Sequence, residues 1–381
     1  MARRFLPVVL TTSSLVCACG GAPAGGDGET ATSGGEGGSE SESSAGTEST
    51  ETSTSTSTTS GGTTTDTSTT GDPECDPPSF EALGQPVQLQ ARAAADIAFD
   101  GDGVLVGSNT TDLFRSPHEG EPQLWVPGVP GRAGTRFLPD GRLVFVQEQL
   151  GQVVLITPEG ETSVLAANLG TPHGVAVRED STVFIAADTF VYAVNPDTLD
   201  VQMIAEVESG ARSLTFDETY TSLYVGGLSN FIYQIVELDP GQWSAPELFA
   251  EVPVWLADEG ATLESASHAG GEDFHPPLLR LDVGTGDPPD PEAMNAAIDG
   301  LGVDDCGNIY AIDFLTRALY VLPHWGGDGG NVLFAFDETQ YGHGLEWGTG
   351  IGGWSETALY FPQPYNDHRV LEIELGRASK P

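Results

Sequence analysis

"AGTRFLPDGRLVFVQEQLGQVVLIT", residues 133–157, carries three short apolar runs separated by two turns. The first turn holds Asp140-Gly141, a tight-turn pair. The runs are rich in β-branched and aromatic residues and have no 3.6-residue period, so they read as antiparallel strands. The same order recurs in "AADIAFDGDGVLVGSNTTDLFRS" from 94 and in "HGVAVREDSTVFIAADTFVYAVN" from 173. It recurs again in phrases beginning at 211, 299 and 343. The first four strand starts, at 95, 133, 173 and 212, lie 38 to 40 residues apart. A period of ~40 residues with three or four strands per unit is that of a β-propeller blade. One such unit cannot bury its own faces, so the units must stack in a ring. The fold expected is all-β, a six-bladed propeller.

Two regions depart from the repeat. From 212 to 299 the step is 87 residues, and about 252–297 is rich in Pro and Gly without the turn signature. It reads as an insertion between blades 4 and 5, with a degenerate seventh blade as the alternative. The last phrase supplies only three strands. The segment "GQPVQLQ" at 84–90 alternates as a strand and is placed to complete that blade, which would close the ring and remove its exposed edges.

The N-terminus reads as an export signal, residues 1–18. Arg3 and Arg4 precede an apolar stretch too short to span a bilayer. Val16-Cys17-Ala18-Cys19 before Gly20 resembles the lipobox of bacterial lipoproteins. That resemblance implies lipidation of Cys19 and a cell-envelope location, in the outer membrane or at the cell surface. Ordinary signal cleavage is the alternative. Residues 19–74 are almost wholly Gly, Ser, Thr, Ala and acidic residues, as in "TESTETSTSTSTTSGG". No core can form there, so the segment reads as a disordered tether with an r.m.s. span of roughly 40 Å. The propeller occupies 75–381.

Charge narrows the partners. The whole chain has 56 acidic residues against 14 Lys and Arg, and Lys380 is its only lysine. That excess argues against nucleic acid, and it leaves a lipid anchor as the only route to a membrane. With Cys17 removed and Cys19 lipidated, Cys75 and Cys306 remain. In a propeller the first turn of each blade lies at the bottom, which places Cys306 there. The closing strand starts beside it, where the tether ends at Cys75. A Cys75–Cys306 disulfide is therefore expected in an oxidising compartment, with two free thiols as the alternative.

"DGLGVDDCGNIYAID", residues 299–313, resembles the strand-turn-strand signature of the gluconolactonase and regucalcin-like propellers, which NHL-like repeats share. In the lactonases a divalent metal sits at the top of the channel. The resemblance implies that Asp299 matches the metal-binding Asp. The remaining ligand positions differ. Ala94-Ala95 opens the first blade where a Glu would stand, and Arg212 opens the fourth where an Asn would stand. An arginine only donates and stays charged, so it would repel a metal ion beside it.

The top face gathers the other candidates. Asp299, His173 and His343 open three blades and could hold a divalent metal or serve as acid and base. Arg212, Asp188, Asp313 and Glu148 are candidate ligand-binding residues, and His268 and His275 lie in the insertion. The alternative is a polar channel mouth with an Asp299–Arg212 ion pair. Three functions remain open. One is a lipid-anchored binding or scaffold propeller for a protein, glycan or small ligand. Another is a metal-dependent hydrolase of the lactonase class with a rearranged site. The third is a structural envelope protein.

Overall fold

The computed structural model describes residues 75–79, 83–252, 296–324, 326–328, 331–335, 342–364 and 367–380. Cys19, the signal, the tether and residues 253–295, with His268 and His275, lie outside them. Six sheets are arranged as blades, antiparallel throughout except that Ala250 and Glu251 of blade 4 pair in parallel with Gly327 and Asp328. Blade 1 runs through Ile97–Phe99, Leu105–Ser108, Leu113–Ser116 and Gln123–Val126. Blade 2 runs from Thr135–Phe137 to Thr162–Ala167, and blade 3 from Pro172–Val177 to Val201–Glu206. Blade 4 spans Ser213–Phe216 to Glu247–Glu251, and blade 5 spans Ile298–Val303 to Asn331–Ala335. Each of these is complete without residues 253–295.

Blade 6 has Glu346–Trp347, Ala358–Gln363 and Arg369–Glu374. Its outer strand is Val87–Arg92, pairing Val87 with Glu372. The ring is closed by the N-terminal strand, as the alternation at 84–90 suggests.

Six apolar clusters hold the ring, one at each blade interface. Val144 and Val146 of blade 2 meet Val183 and Ile185 of blade 3. Leu319 and Val321 of blade 5 meet Leu359 and Phe361 of blade 6. Ala91 and Val370 of blade 6 meet Ile97 and Leu105 of blade 1. Fully burying one such Val, Leu or Phe contributes roughly 1.5–3 kcal/mol.

The blade-opening residue is followed by glycine in Ala133-Gly134, His173-Gly174, Asp299-Gly300 and His343-Gly344. The reason is close approach to the next blade. A Cβ at Gly300 would sit 2.8 Å from the His343 carbonyl oxygen, and one at Gly134 would sit 2.5 Å from that of His173. The glycine lets neighbouring inner strands touch, and it fixes the residue before it at the channel mouth.

The first turns lie at the opposite, bottom end. Their Asp residues accept backbone N–H groups. Asp100 takes those of Asp102 and Val104 at 3.0 and 2.9 Å, and Asp304 those of Cys306 and Asn308 at 3.0 and 2.8 Å. Part of the acidic excess is thus turn chemistry. The Cys75–Cys306 disulfide is formed, with Cα atoms 5.3 Å apart and a sequence separation of 231.

Residues 376–380 cross beneath the ring. Ser379 bridges Asp304, the Lys380 N–H donates to the Val303 carbonyl at 3.1 Å, and Trp347 donates to the Arg377 carbonyl at 3.1 Å. No helix among the described residues is long and apolar enough to cross a membrane.

Candidate functional site

Four blade-opening positions converge at the top of the channel. His173, Arg212, Asp299 and His343 come from blades 3, 4, 5 and 6. They occupy the same step of consecutive blades, so the packing of blade against blade brings them together. One ligand atom each from His173, Asp299 and His343 lies within 4.8 Å of the others.

Arg212 sits inside this group. Its Nε donates to Asp299 Oδ1, and its Nη2 donates to His173 Nε2 at 2.7 Å. His173 Nδ1 donates to the Arg212 carbonyl at 3.2 Å. These partners settle the tautomer: Nδ1 carries the proton and Nε2 accepts. Burial holds His173 neutral and pushes it down to about 3, with Arg212 and His343 adding to the shift and Asp299 opposing it. Burial would raise Asp299, but its electrostatic interactions with His343, His173 and Arg212 outweigh it and keep the carboxyl below its usual range. The permanent charge of Arg212 is the cause that does not titrate.

His343 Nε2 is 3.3 Å from Asp299 Oδ2, close enough for an ion pair but out of line for a hydrogen bond, so Oδ2 is a buried oxygen without a hydrogen-bond partner. Burial lowers His343 as well. The two imidazoles stack at 5.4 Å, and Phe314 packs on His343 at 5.0 Å. The Asp299 side chain is 1% exposed and that of Arg212 is 25% exposed. The group that meets solvent is therefore the guanidinium. Among the described residues its Nη1 has no hydrogen-bond partner.

Two histidines and an aspartate are a plausible donor set for zinc or a similar ion. Here a fixed cation occupies the lone pairs of two of the three, Asp299 Oδ1 and His173 Nε2. The arrangement does not fit a divalent metal, and the lactonase ligand set is not reproduced.

The other candidates are placed differently. Asp313 is fully buried. Its Oδ1 accepts Ala297 N–H and Leu315 N–H, both at 2.9 Å, and its Oδ2 accepts the Thr316 hydroxyl at 2.8 Å. It ties the top loop to the start of its own blade, which leaves it no surface for a ligand. Asp188 is exposed but does the same, accepting Thr171 N–H at 3.1 Å. Glu148 pairs with the half-exposed Arg132 at 3.3 Å, a contact of the kind worth little. These three are not brought to the cluster.

A second charged group went unforeseen. Asp96, Arg136 and Glu346 lie one layer down the channel. Arg136 Nη1 donates to Asp96 Oδ2 at 3.0 Å, and its Nε lies 3.5 Å from Glu346 Oε2. Arg136 and Glu346 each stand three residues after a blade-opening position, a register that the repeat itself exposes.

The fold and this mouth define a six-bladed β-propeller with a polar cluster closing one end of its channel. No protein-family model and no curated protein matches the chain in sequence. Solved structures do match in fold. A gluconolactonase from Xanthomonas campestris is 15% identical, covering 79% of this chain and 96% of its own, with a TM-score of 0.55. A luciferin-regenerating enzyme is 12% identical over 77% of this chain and 97% of its own, with a TM-score of 0.53. A streptogramin B lyase is 9% identical over 77% and 99%, with a TM-score of 0.50. At these identities the likeness is one of fold.

Proposed function

We propose that the chain is a binding propeller, held in the bacterial cell envelope through Cys19, whose top channel mouth takes the carboxylate of a small ligand or of a partner's side chain. One observation carries this reading: the Arg212 guanidinium fills the donor cluster and offers its remaining N–H face to solvent. Arginine suits carboxylates because it presents parallel N–H donors. In an acidic chain a cationic centre at a channel mouth also selects the sign of its ligand.

A metal-dependent lactonase is the second reading: His173, Asp299 and His343 converge, but a metal could use them only if Arg212 left Asp299 Oδ1 and His173 Nε2. The two separate on one pair of measurements, calorimetric titration with gluconate and hydrolysis of glucono-δ-lactone, each with and without chelator. The binding reading expects gluconate binding that ignores chelator and is lost in Arg212→Gln. Lactone turnover abolished by chelator and retained in Arg212→Gln would replace it with the hydrolase. For the anchor, Cys19→Ser is expected to release the protein from the membrane fraction, and retention there would refute lipidation at Cys19.

A further inference from the structure

The lower channel contains a cavity of 390 Å³, lined among others by Arg136, Phe216, Tyr220, Glu346, Trp347 and Lys380. That volume is in the range of small-molecule sites. We propose that this cavity is a second site, in which Lys380 is a carbonyl-reactive amine that condenses with small aldehydes.

Lys380 is the only lysine of the 381 residues, and every other basic side chain apart from histidine is arginine. Arginine cannot give up its proton at ordinary pH, whereas lysine can. The crossing segment 376–380 carries the Lys380 side chain into the cavity. There Nζ donates to the Phe216 and Asp217 carbonyls at 2.9 and 3.1 Å and lies 4.4 Å from the Tyr220 ring. Among the described residues no carboxylate is within ion-pair distance of it.

The charged groups that act on it are Asp217, Glu346 and Arg136. Burial outweighs the two carboxylates and pushes the amine down to about 8. At pH 7 about a tenth of it is then free base, against about one part in three thousand for an ordinary lysine. Glu346, on the same cavity wall, is pushed the other way by burial, toward holding its proton. An amine with a sizeable free-base fraction and a carboxyl that burial inclines to hold its proton line one cavity, and imine formation uses a nucleophilic amine and a proton donor.

The step balances without a further reagent. The Nζ lone pair adds to the carbonyl carbon and forms the C–N bond. The C=O π electrons move to oxygen, which takes a proton from Glu346. The carbinolamine then loses water to give the imine, and the amine's proton returns to the Glu346 carboxylate.

The test uses the full chain, with propanal as the probe and cyanoborohydride to trap the imine by reduction. Peptide mapping reads alkylation at Lys380, and the acetylated peptide of residues 376–381 supplies the unburied reference. At pH 7 Lys380 is expected to react at least about tenfold faster than the peptide, after allowing for its lower basicity. Its rate should rise with a midpoint near 8. Lys380→Arg should abolish the signal while keeping the cationic contact, and Glu346→Gln should slow trapping severalfold. Trapping no faster than in the peptide, or a midpoint at the ordinary lysine value, overturns the proposal. An unchanged rate in Glu346→Gln removes the proton donor from it.

Discussion

The two ends of the channel each hold a base whose proton burial loosens, and they put it to opposite use. At the top, His173 is neutral and its Nε2 lone pair is spent on Arg212. At the bottom, Lys380 is pushed toward neutrality, and its lone pair, once the proton leaves, faces an open cavity. Desolvation is the cause in both places. What differs is whether a donor already waits for the freed lone pair. A depressed pKa is therefore a structural acceptor in one site and a nucleophile in the other, and the neighbour decides which.

The largest test of this contrast is acid. Folding keeps His173 neutral down to about 3, whereas the unfolded chain takes up the proton near 6.5. Between those values the unfolded state binds more protons, so stability falls as pH falls, by at most roughly 4–5 kcal/mol from this residue. Asp299, lowered in the folded state, acts in the same direction as pH drops through its folded value. Urea unfolding at several pH values should give a flatter profile for His173→Gln than for the natural chain. Identical slopes would mean that His173 is not held neutral by the fold.

The next effect is Arg212→Ala. It strands the Asp299 carboxylate without its cation and should cost about 3–4 kcal/mol. It also frees His173 Nε2 and Asp299 Oδ1. Micromolar zinc should therefore raise the melting temperature of the variant and leave the natural chain unmoved. Equal stabilisation of both would show that the guanidinium does not exclude a metal.

The smallest effect is expected at the bottom rim. Asp140 accepts the Arg142 N–H at 3.0 Å and meets its guanidinium on the exposed surface. Asp140→Ala should cost under about 1 kcal/mol and leave gluconate binding intact, whereas Asp299→Ala should abolish that binding. Matching effects from the two would dissolve the distinction between working and structural ends.

The top cluster was legible because it obeys the repeat. His173, Asp299 and His343 stand before a glycine, and Arg212 stands at the same step of its blade, so counting blades places all four at one mouth. The disulfide followed from the same topology. Asp188 and Asp313 misled because a carboxylate after the second strand is also what a top loop needs to hold the following N–H groups, and sequence does not separate the two uses. The Asp96–Arg136–Glu346 layer was within reach of the register but requires reading the third position rather than the first. The placement of Lys380 was out of reach. It depends on residues 376–380 turning back under the ring, a contact with no period to announce it.

The disulfide also sets how the ring bears tension. Val87–Arg92 is an outer strand, held to blade 6 only along the Arg369–Glu374 side. In a chain pulled from its N-terminal segment, that strand would be the first to peel, and peeling it reopens the ring. The pull meets Cys75 first, however, and passes through a covalent bond into Cys306 in the bottom turn of blade 5. The closing strand lies outside the load path, so a tethered propeller can be tugged without being unlaced.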